Sequence, residues 1–380
     1  MEFELPASVS HLQRTVRDFC EAEVKPHARE WDRSGEFPLS TVRKLGALGL
    51  LGLTVPEDLG GSGLDALSVA TVVQTVAEYD GSLALTVASH NGLCIGHLKL
   101  FGSEAQKRHY LPALAAGEKL GAWALTEPGS GSDAAGLRTT AVRRGEGWVI
   151  NGSKTFITQG SVGDIYVVLA STDADKRQKG ITAFVVEKGA RGFSQRALHG
   201  KLGMRSSDTA ELTFEDVQVS DDARVGQVGQ GFIDTLSILD RGRIAIAALA
   251  LGLGEGALRA ATRYAKERVA FGGPIARFQA LQWMLADSVT ELTAARLLIW
   301  RAALRCDAGL PFGKEASMAK LTAARASMRT CERAVQIHGG YGYTDEFPVE
   351  RYLRDAKLCE IGEGTNEVQQ LVIAREILRA

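Results

Sequence analysis

Two abrupt changes of texture constrain this chain more than any other feature: helical patterning gives way to strand-like patterning near Gly121 and returns near Gly229. Before the first change, apolar residues recur at helical spacing from Leu12 to Glu30, from Ala66 to Glu78 and from Leu83 to Phe101. Pro38 opens another helical segment reaching Leu50, since proline suits a first turn. Pro56 to Asp65 reads as a glycine-rich loop, and Ser103 with Gln106 forms a capping-box pattern for a helix running to Ala116. After Gly121 the apolar segments become short, alternating and β-branched: Thr139 to Arg143, Trp148 to Ile150, Asp164 to Ala170, Ile181 to Glu187 and Ala210 to Phe214. Gly145-Glu146-Gly147 and Asn151-Gly152 read as turns between them. From Gly229 onward, Phe232 to Arg268, Phe278 to Arg305 and Lys314 to Ile337 form long Ala- and Leu-rich helical runs joined by short connections, the pattern of an antiparallel bundle, and a last helix starts near Asn366. The expected fold is therefore mainly α with a central antiparallel β domain. Its boundaries fall at 1–120 for an N-terminal helical domain, 121–228 for the β domain and 229–380 for a C-terminal helical domain.

Bulk properties exclude several function classes. The 380 residues carry a net charge of −1 with both signs interspersed, which gives no reason to expect a nucleic-acid partner. The five cysteines are scattered and form no CxxC pair, so neither a disulfide framework nor a metal site is expected, and a reducing compartment fits. The N-terminal segment lacks the basic-then-apolar order of a secretory signal. The apolar stretches near Leu48 to Val55 and Ile244 to Gly254 are too short to span a bilayer, so no membrane partner is expected and a bacterial chain would be cytoplasmic.

Five segments carry candidate chemistry, and one that imitates a nucleotide motif does not. Gly252 to Ala257 matches GxGxxA but sits inside a long helical run, where close helix packing explains the glycines. Leu125 to Asp133 (LTEPGSGSD) crowds Pro, Gly and Ser into a loop with exposed N–H groups, suited to a phosphate or heterocycle edge or simply to a linker. In Asn151 to Gly160 (NGSKTFITQG), Phe156 and Thr158 would share one face of a strand, placing an aromatic plane beside a hydroxyl. Arg268, Phe271 and Gln279 end one long helix and open the next; Gln336 to Gly342 (QIHGGYG) breaks the chain sharply. Ile361 to Glu367 (IGEGTNE) places Glu363 between two glycines near a helix start, where the helix dipole would favour an anion and the glycines would admit a large ligand.

Taken together, LTEPGSGSD, NGSKTFITQG, KLGMRSSDT, ERVAFGGPIARFQ, QIHGGYGY, RYLRDAK and IGEGTNE resemble, in order and spacing, the acyl-CoA dehydrogenase family over essentially the whole chain, and most closely its short-chain and branched short-chain members. The resemblance implies FAD, a C-terminal domain of four helices, and a homotetramer with the cofactor at a subunit interface. It implies that Trp123, Ala124, Leu125, Thr126 and Ser132 line the flavin and pantetheine, and that Phe156, Ile157 and Thr158 flank the isoalloxazine. Arg268, Phe271, Gln279, Gln336, Gly339 and Gly340 would hold adenosine and pyrophosphate, partly from a neighbouring subunit; Thr365 and Glu367 would approach the cofactor. Ser132, Asp240, Arg243 and Gly364 would contact the acyl-CoA substrate, His338 would pack near the cofactor, and Arg351, Arg354 and Asp355 would form a structural ion-pair group.

Two positions depart from the family pattern. Phe156 replaces the usual Trp, which keeps stacking and loses an indole N–H; Gly362 replaces the Tyr of many relatives, which alters the acyl pocket.

The implied reaction explains why such parts are needed. The α C–H of a thioester is a weak acid and the β hydrogen must leave as hydride, which no side chain accepts, so a flavin is required. Glu363 would take the α proton, while its backbone N–H and a ribityl hydroxyl would hold the carbonyl oxygen. Electrons would pass on to an electron-transferring flavoprotein. Some relatives carry the base one residue before an arginine on the helix after the β domain; here that position is Gly242, before Arg243, so only Glu363 supplies a carboxylate. An acyl-CoA oxidase would pass electrons to oxygen instead, but this chain has no long C-terminal extension; a non-catalytic relative binding nucleic acid or a partner protein is disfavoured by the neutral charge and the intact Glu363.

Overall fold

The computed structural model describes residues 4–379. Helices α1 (Ala7–Glu23), α2 (Ala28–Ser34), α3 (Leu39–Ala47), α4 (Ala66–Ala77), α5 (Gly81–Ser89), α6 (Gly96–Phe101) and α7 (Glu104–Ala115) come first. A π-helical turn, His90–Ile95, joins α5 to α6, so the expected helix through Phe101 is continuous but locally wide. The capping box of α7 forms as expected: the Gln106 N–H donates to Ser103 Oγ at 3.2 Å and the Ser103 N–H donates to Gln106 Oε1 at 3.0 Å.

Eight strands follow: β1 (Gly121–Ala124), β2 (Thr140–Arg144), β3 (Gly147–Thr158), β4 (Ile165–Ser171), β5 (Ile181–Glu187), β6 (Phe193–Ala197), β7 (Thr209–Ser220) and β8 (Arg224–Val225). They form one sheet in the order β6-β7-β3-β2-β4-β5-β8, with β1 paired to β4. The sheet is mixed rather than antiparallel: β1 runs parallel to β4 from Gly121↔Ile165 to Ala124↔Val168, and β2 meets β4 in parallel at Thr140↔Ser171. The chain enters β1 directly from the helices, and no local sequence signal fixes the direction of that pairing.

Asn151-Gly152 does not turn the chain. It lies within β3, where the register against β7 slips between Ile150 and Gly152, and Gly152 takes φ 143°. The dipeptide serves a bulge, which Gly favours as much as it favours a hairpin. Asn151 Nδ2 donates to Asp216 Oδ1 at 3.0 Å, and the Asp216 N–H donates to Asn151 Oδ1 at 2.8 Å, fixing the slip.

The last section holds α8 (Gly231–Glu267), the short ribbon β9 (Val269–Ala270) and β10 (Gly273–Pro274), then α9 (Gln279–Asp307), α10 (Gly313–His338), α11 (Val349–Ile361) and α12 (Asn366–Arg379). The Ile244 to Gly254 stretch lies inside α8, which is long and apolar enough to cross a membrane; its apolar window is 78% buried, as befits a core helix. The glycines of the GxGxxA segment make that burial possible. A Cβ at Gly256 would meet the Glu78 carbonyl at 2.6 Å, one at Gly254 would meet Leu292 at 2.7 Å, and one at Gly252 would collide with the Gln74 carbonyl. They are packing glycines, as the helical context indicates.

The Arg351, Arg354 and Asp355 group is structural in the way expected. Arg354 pairs with Asp32 of α2 at 2.5 Å and with Glu350 at 2.7 Å, and Arg351 lies 3.8 Å from Asp80 at the N-cap of α5. Asp355 accepts the Met204 N–H at 2.5 Å. The group ties α11 to the first helices and to the loop before β7.

Candidate active site

The two glycine- and hydroxyl-rich segments meet at the mouth of the sheet. The Thr155 N–H donates to the Thr126 carbonyl at 2.9 Å, setting the LTEPGSGSD loop beside β3. Two charged residues of these motifs fasten that contact. Lys154 is fully buried; its Nζ lies 2.8 Å from Glu127 Oε1 and donates to the Leu125 carbonyl at 3.0 Å. Glu127 also accepts N–H groups from Arg138 at 2.6 Å and Thr139 at 2.9 Å. Burial pushes the Lys154 ammonium down to about 8, against the pull of Glu127. Burial also acts to raise the Glu127 carboxyl, but Lys154 and the two N–H donors outweigh it and hold it below the usual range. Sequence reasoning assigned neither residue a role; the signal was a charge of each sign inside two adjacent motifs. Lys154→Met strands a buried carboxylate, so it should cost about 3–5 kcal/mol of stability and loosen cofactor retention. Thermal melting and flavin content check this; a variant with the parent's values would contradict the fastening role.

Side chains along this mouth alternate. Trp123 and Leu125 pack with the helices, Trp123 Nε1 donating to His97 Nδ1 at 3.2 Å, whereas Ala124 and Ile157 point into the sheet core and present only backbone. A second register slip, between Lys154 and Ile157, turns Phe156 outward at φ 57° and leaves it 70% exposed. An aromatic residue at positive φ is a strained arrangement of about 1–3 kcal/mol, and the ring it presents is free to stack. Thr158 is half-buried next to it, and Ser132 is exposed in a loop where a Cβ at Gly129 or Gly131 would meet nothing within 4 Å. An open loop beside a displayed aromatic and a hydroxyl fits a planar heterocycle with polar edges.

Glu363 does not open α12 as expected but stands in the link between α11 and α12. Gly362 ends α11 in an extended conformation, and Glu363 (φ 52°) and Gly364 (φ 92°) are both left-handed. The link turns the Glu363 side chain onto α8. A Cβ at Gly242 would collide with Glu363 Oε2 and lie 2.9 Å from its Cδ, so the absence of a side chain at 242 makes the room for the carboxylate. Oε2 is buried with no hydrogen-bond partner among the described residues, although the residue as a whole is only half-buried. Burial pushes the Glu363 carboxyl up to about 7, against the lowering effect of Arg243 and Lys320. Its backbone N–H donates to no backbone acceptor among the described residues. A half-titrated carboxylate beside a free N–H can take a proton at neutral pH and hold an oxygen next to it.

Asp240 and Arg243 face each other one turn away on α8, with Arg243 Nη1 2.5 Å from Asp240 Oδ1. Arg243 is buried, and its charge acts on Glu363, lowering that carboxyl against the effect of burial. Thr365 Oγ1 accepts the Val368 N–H at 3.3 Å, as a cap of α12, and Glu367 is exposed.

The remaining expected residues gather elsewhere. Arg268, His338, Gly339, Gly340 and Tyr341 line a cleft of about 520 Å³, with Arg268 over the Tyr341 ring. His338 is buried, stacked on Tyr264 at 4.3 Å and hydrogen-bonded through Nδ1 to the Ala334 carbonyl, which suits packing rather than acid–base work. Gln336 is exposed on the last turn of α10, Phe271 is 88% exposed at φ 52°, and Gln279 is exposed at the start of α9. Gly242, inside α8, and Arg268, just past its C-terminal end, lie 26 residues apart along one helical run. At 1.5 Å per residue that is about 39 Å along the helix axis, so the Glu363 seat and the Arg268 cleft are well separated within the chain.

Comparison with known proteins accords with this arrangement. Three family profiles match in sequence: "Acyl-CoA dehydrogenase, N-terminal domain" over 7–118, the middle domain over 122–217 and the C-terminal domain over 229–378. The chain is 46% identical over 379 residues to the short-chain specific acyl-CoA dehydrogenase of Clostridium acetobutylicum, covering 100% of both chains. The solved structure of butyryl-CoA dehydrogenase from Megasphaera elsdenii superposes with a TM-score of 0.98 at 42% identity, covering 100% of both chains. A chain in a structure described as the electron transferring flavoprotein of Acidaminococcus fermentans superposes with a TM-score of 0.99 at 42% identity, again over 100% of both. The chain belongs to the acyl-CoA dehydrogenase family. It is a FAD-dependent acyl-CoA dehydrogenase.

Proposed function

We propose that this enzyme converts short or branched short acyl-CoA thioesters to trans-2-enoyl-CoA, with Glu363 as the base. The observation that carries the reading is the Glu363 carboxylate, pushed up to about 7 and seated where Gly242 leaves it room. FAD, when bound, supplies the hydride acceptor. The chain's own part is to orient the thioester and to move one proton. Glu363 takes the α proton on its carboxylate, its backbone N–H holds the carbonyl oxygen on which negative charge grows, and burial keeps water from competing. Trp123 to Thr126 and Phe156 to Thr158 would hold the flavin end through backbone, hydroxyl and ring contacts, and Ser132, Asp240, Arg243 and Gly364 would hold the CoA and acyl parts.

Arg268, Phe271, Gln279, Gln336, Gly339 and Gly340 would hold the adenosine and pyrophosphate of a neighbouring subunit's cofactor, which the long separation along α8 supports. A homotetramer is supported further by an exposed apolar stripe on α9: Trp283, Leu297 and Leu304, spaced by multiples of seven residues, are 64%, 39% and 55% exposed. Electrons would leave to an electron-transferring flavoprotein, as the kinship with a chain in the Acidaminococcus fermentans structure supports. Five buried free cysteines suit a reducing cytoplasm.

An anaerobic titration of the purified yellow protein with straight and branched acyl-CoA thioesters tests the reading. Short thioesters should bleach the flavin band, and the reduced protein should react slowly with oxygen. Rapid oxygen reaction would make it an oxidase, and a protein that neither holds nor takes up FAD would overturn the reading.

Gly362 bears on the acyl chain. Its φ of −68° admits any residue, and a Cβ there would meet only Leu358, at 3.4 to 3.8 Å. Gly362→Tyr should therefore fold normally and fill volume beside the base. It should lose branched substrates first, by about 1–3 kcal/mol in kcat/KM. Equal losses for straight and branched thioesters would count against the pocket assignment.

A further inference from the structure

Lys320 lies on α10 with its side chain fully buried, yet its ammonium meets neutral oxygens. It donates to the Gly364 carbonyl at 2.8 Å and faces Asn366 Oδ1 at 3.5 Å. A buried cation held by a carbonyl and an amide is costly in a helix core, where an apolar side chain would pack without penalty. The carbonyl it holds belongs to the residue after Glu363, in a link where two successive residues are left-handed. Such a conformation persists only when its surroundings over-determine it. Gln369 of α12, also fully buried, donates to the same carbonyl at 2.9 Å and to the Glu363 carbonyl at 3.3 Å. Donors from α10 and α12 thus clamp the link from two sides, but only Lys320 brings a charge.

Two cations face Glu363: Arg243 from α8 and Lys320 from α10. Arg243 is paired with Asp240, which cancels part of its field. Lys320 is faced by Glu363 itself, by Glu360 and Cys359 of α11, and by Arg243. Burial pushes the Cys359 thiol up to about 12, so it stays neutral and cannot balance the ammonium.

We propose that Lys320 is a positioning residue for the dehydrogenation, fastening the Glu363–Gly364 link against Gly242 and setting the positive potential in which the Glu363 carboxylate works. The proposal rests on Glu363 being the base. Lys320 acts through Glu363 and takes no proton from the substrate.

The test uses FAD-loaded Lys320→Met and Lys320→Gln; the second keeps a polar group in the core and guards against misfolding of the first. The protonated carboxyl band of Glu363 is followed by infrared spectroscopy against pH without substrate, assigned by its loss in Glu363→Gln. The pH profile of flavin reduction by butyryl-CoA is measured in parallel. Removing a cation favours the protonated form, so both midpoints should move up by about one pH unit or more, with flavin content retained. At pH values below the parent midpoint, the reduction rate should fall about tenfold for each pH unit that the midpoint rises. A midpoint that stays in place in either folded variant, whatever happens to the rate, makes Lys320 a packing residue and overturns the proposal. Failure of the base reading looks different: Glu363→Gln would then reduce its flavin at the parent rate.

Discussion

Gly242→Ala should reduce flavin with butyryl-CoA about a hundredfold more slowly than the parent while retaining its FAD. All three nearest atoms to a Cβ at 242 belong to the Glu363 side chain. The methyl group must therefore displace the carboxylate and little else. Displacement of a catalytic group by about 1 Å can cost about 10² in rate, and overpacking of this kind costs about 1–3 kcal/mol in stability. A charge-relocating pair sharpens the case. Glu363→Gly removes the base; adding Gly242→Glu returns a carboxylate to the same pocket from the opposite wall and should recover part of the lost activity. The geometry favours this, because a side chain at 242 starts where the native carboxylate ends. Flavin reduction rates of the single and double variants check both expectations. Gly242→Ala at the parent rate would mean that the carboxylate tolerates displacement and that its seat against α8 is incidental.

The helices were the most legible part of the chain, for a physical reason. A 3.6-residue apolar period sustained over twenty or more residues arises where one face of a helix is buried and little else produces it, and α8, α9 and α10 end within two residues of where the pattern places them. The same rule gave the correct reading of the GxGxxA segment, since the close approach of α4 and α9 accounts for glycines in mid-helix. The sheet was less legible. Asn151-Gly152 has the composition of a hairpin turn, but a bulge demands the same freedom at glycine, and only the partner strand distinguishes the two. Strand β8 has only two residues, β6 (Phe-Ser-Gln-Arg-Ala) lacks the apolar β-branched residues that mark a strand, and the parallel direction of β1 against β4 is a long-range choice with no local code.

In the site, Glu363 was legible because flanking glycines and a matching motif single it out. Its dependence on Lys320 was not, because a lysine in an Ala-rich helix ordinarily marks a solvated face. Lys154 and Glu127 are illegible for a related reason: one stands in a strand segment and the other in a glycine-rich loop, and their pairing appears only when the two segments are set side by side.

Glu363→Gln carries the largest expected effect. The change is nearly isosteric, so the seat at Gly242 and the flavin content should survive, while the proton acceptor is gone. General-base loss costs about 10²–10⁴-fold, and the weak acidity of an α C–H places this case at the upper end. The parent also has a pH signature. Only the ionised carboxylate accepts a proton; with its midpoint pushed up to about 7, the reduction rate should rise with pH up to about 7 and level off above it. Glu363→Gln should lack that limb. Rapid anaerobic mixing of each FAD-loaded protein with butyryl-CoA, following the flavin band across pH, measures both at once. The account predicts fast bleaching with a limb near 7 in the parent and bleaching slowed by about 10⁴-fold in the variant. Bleaching of Glu363→Gln at the parent rate would contradict it.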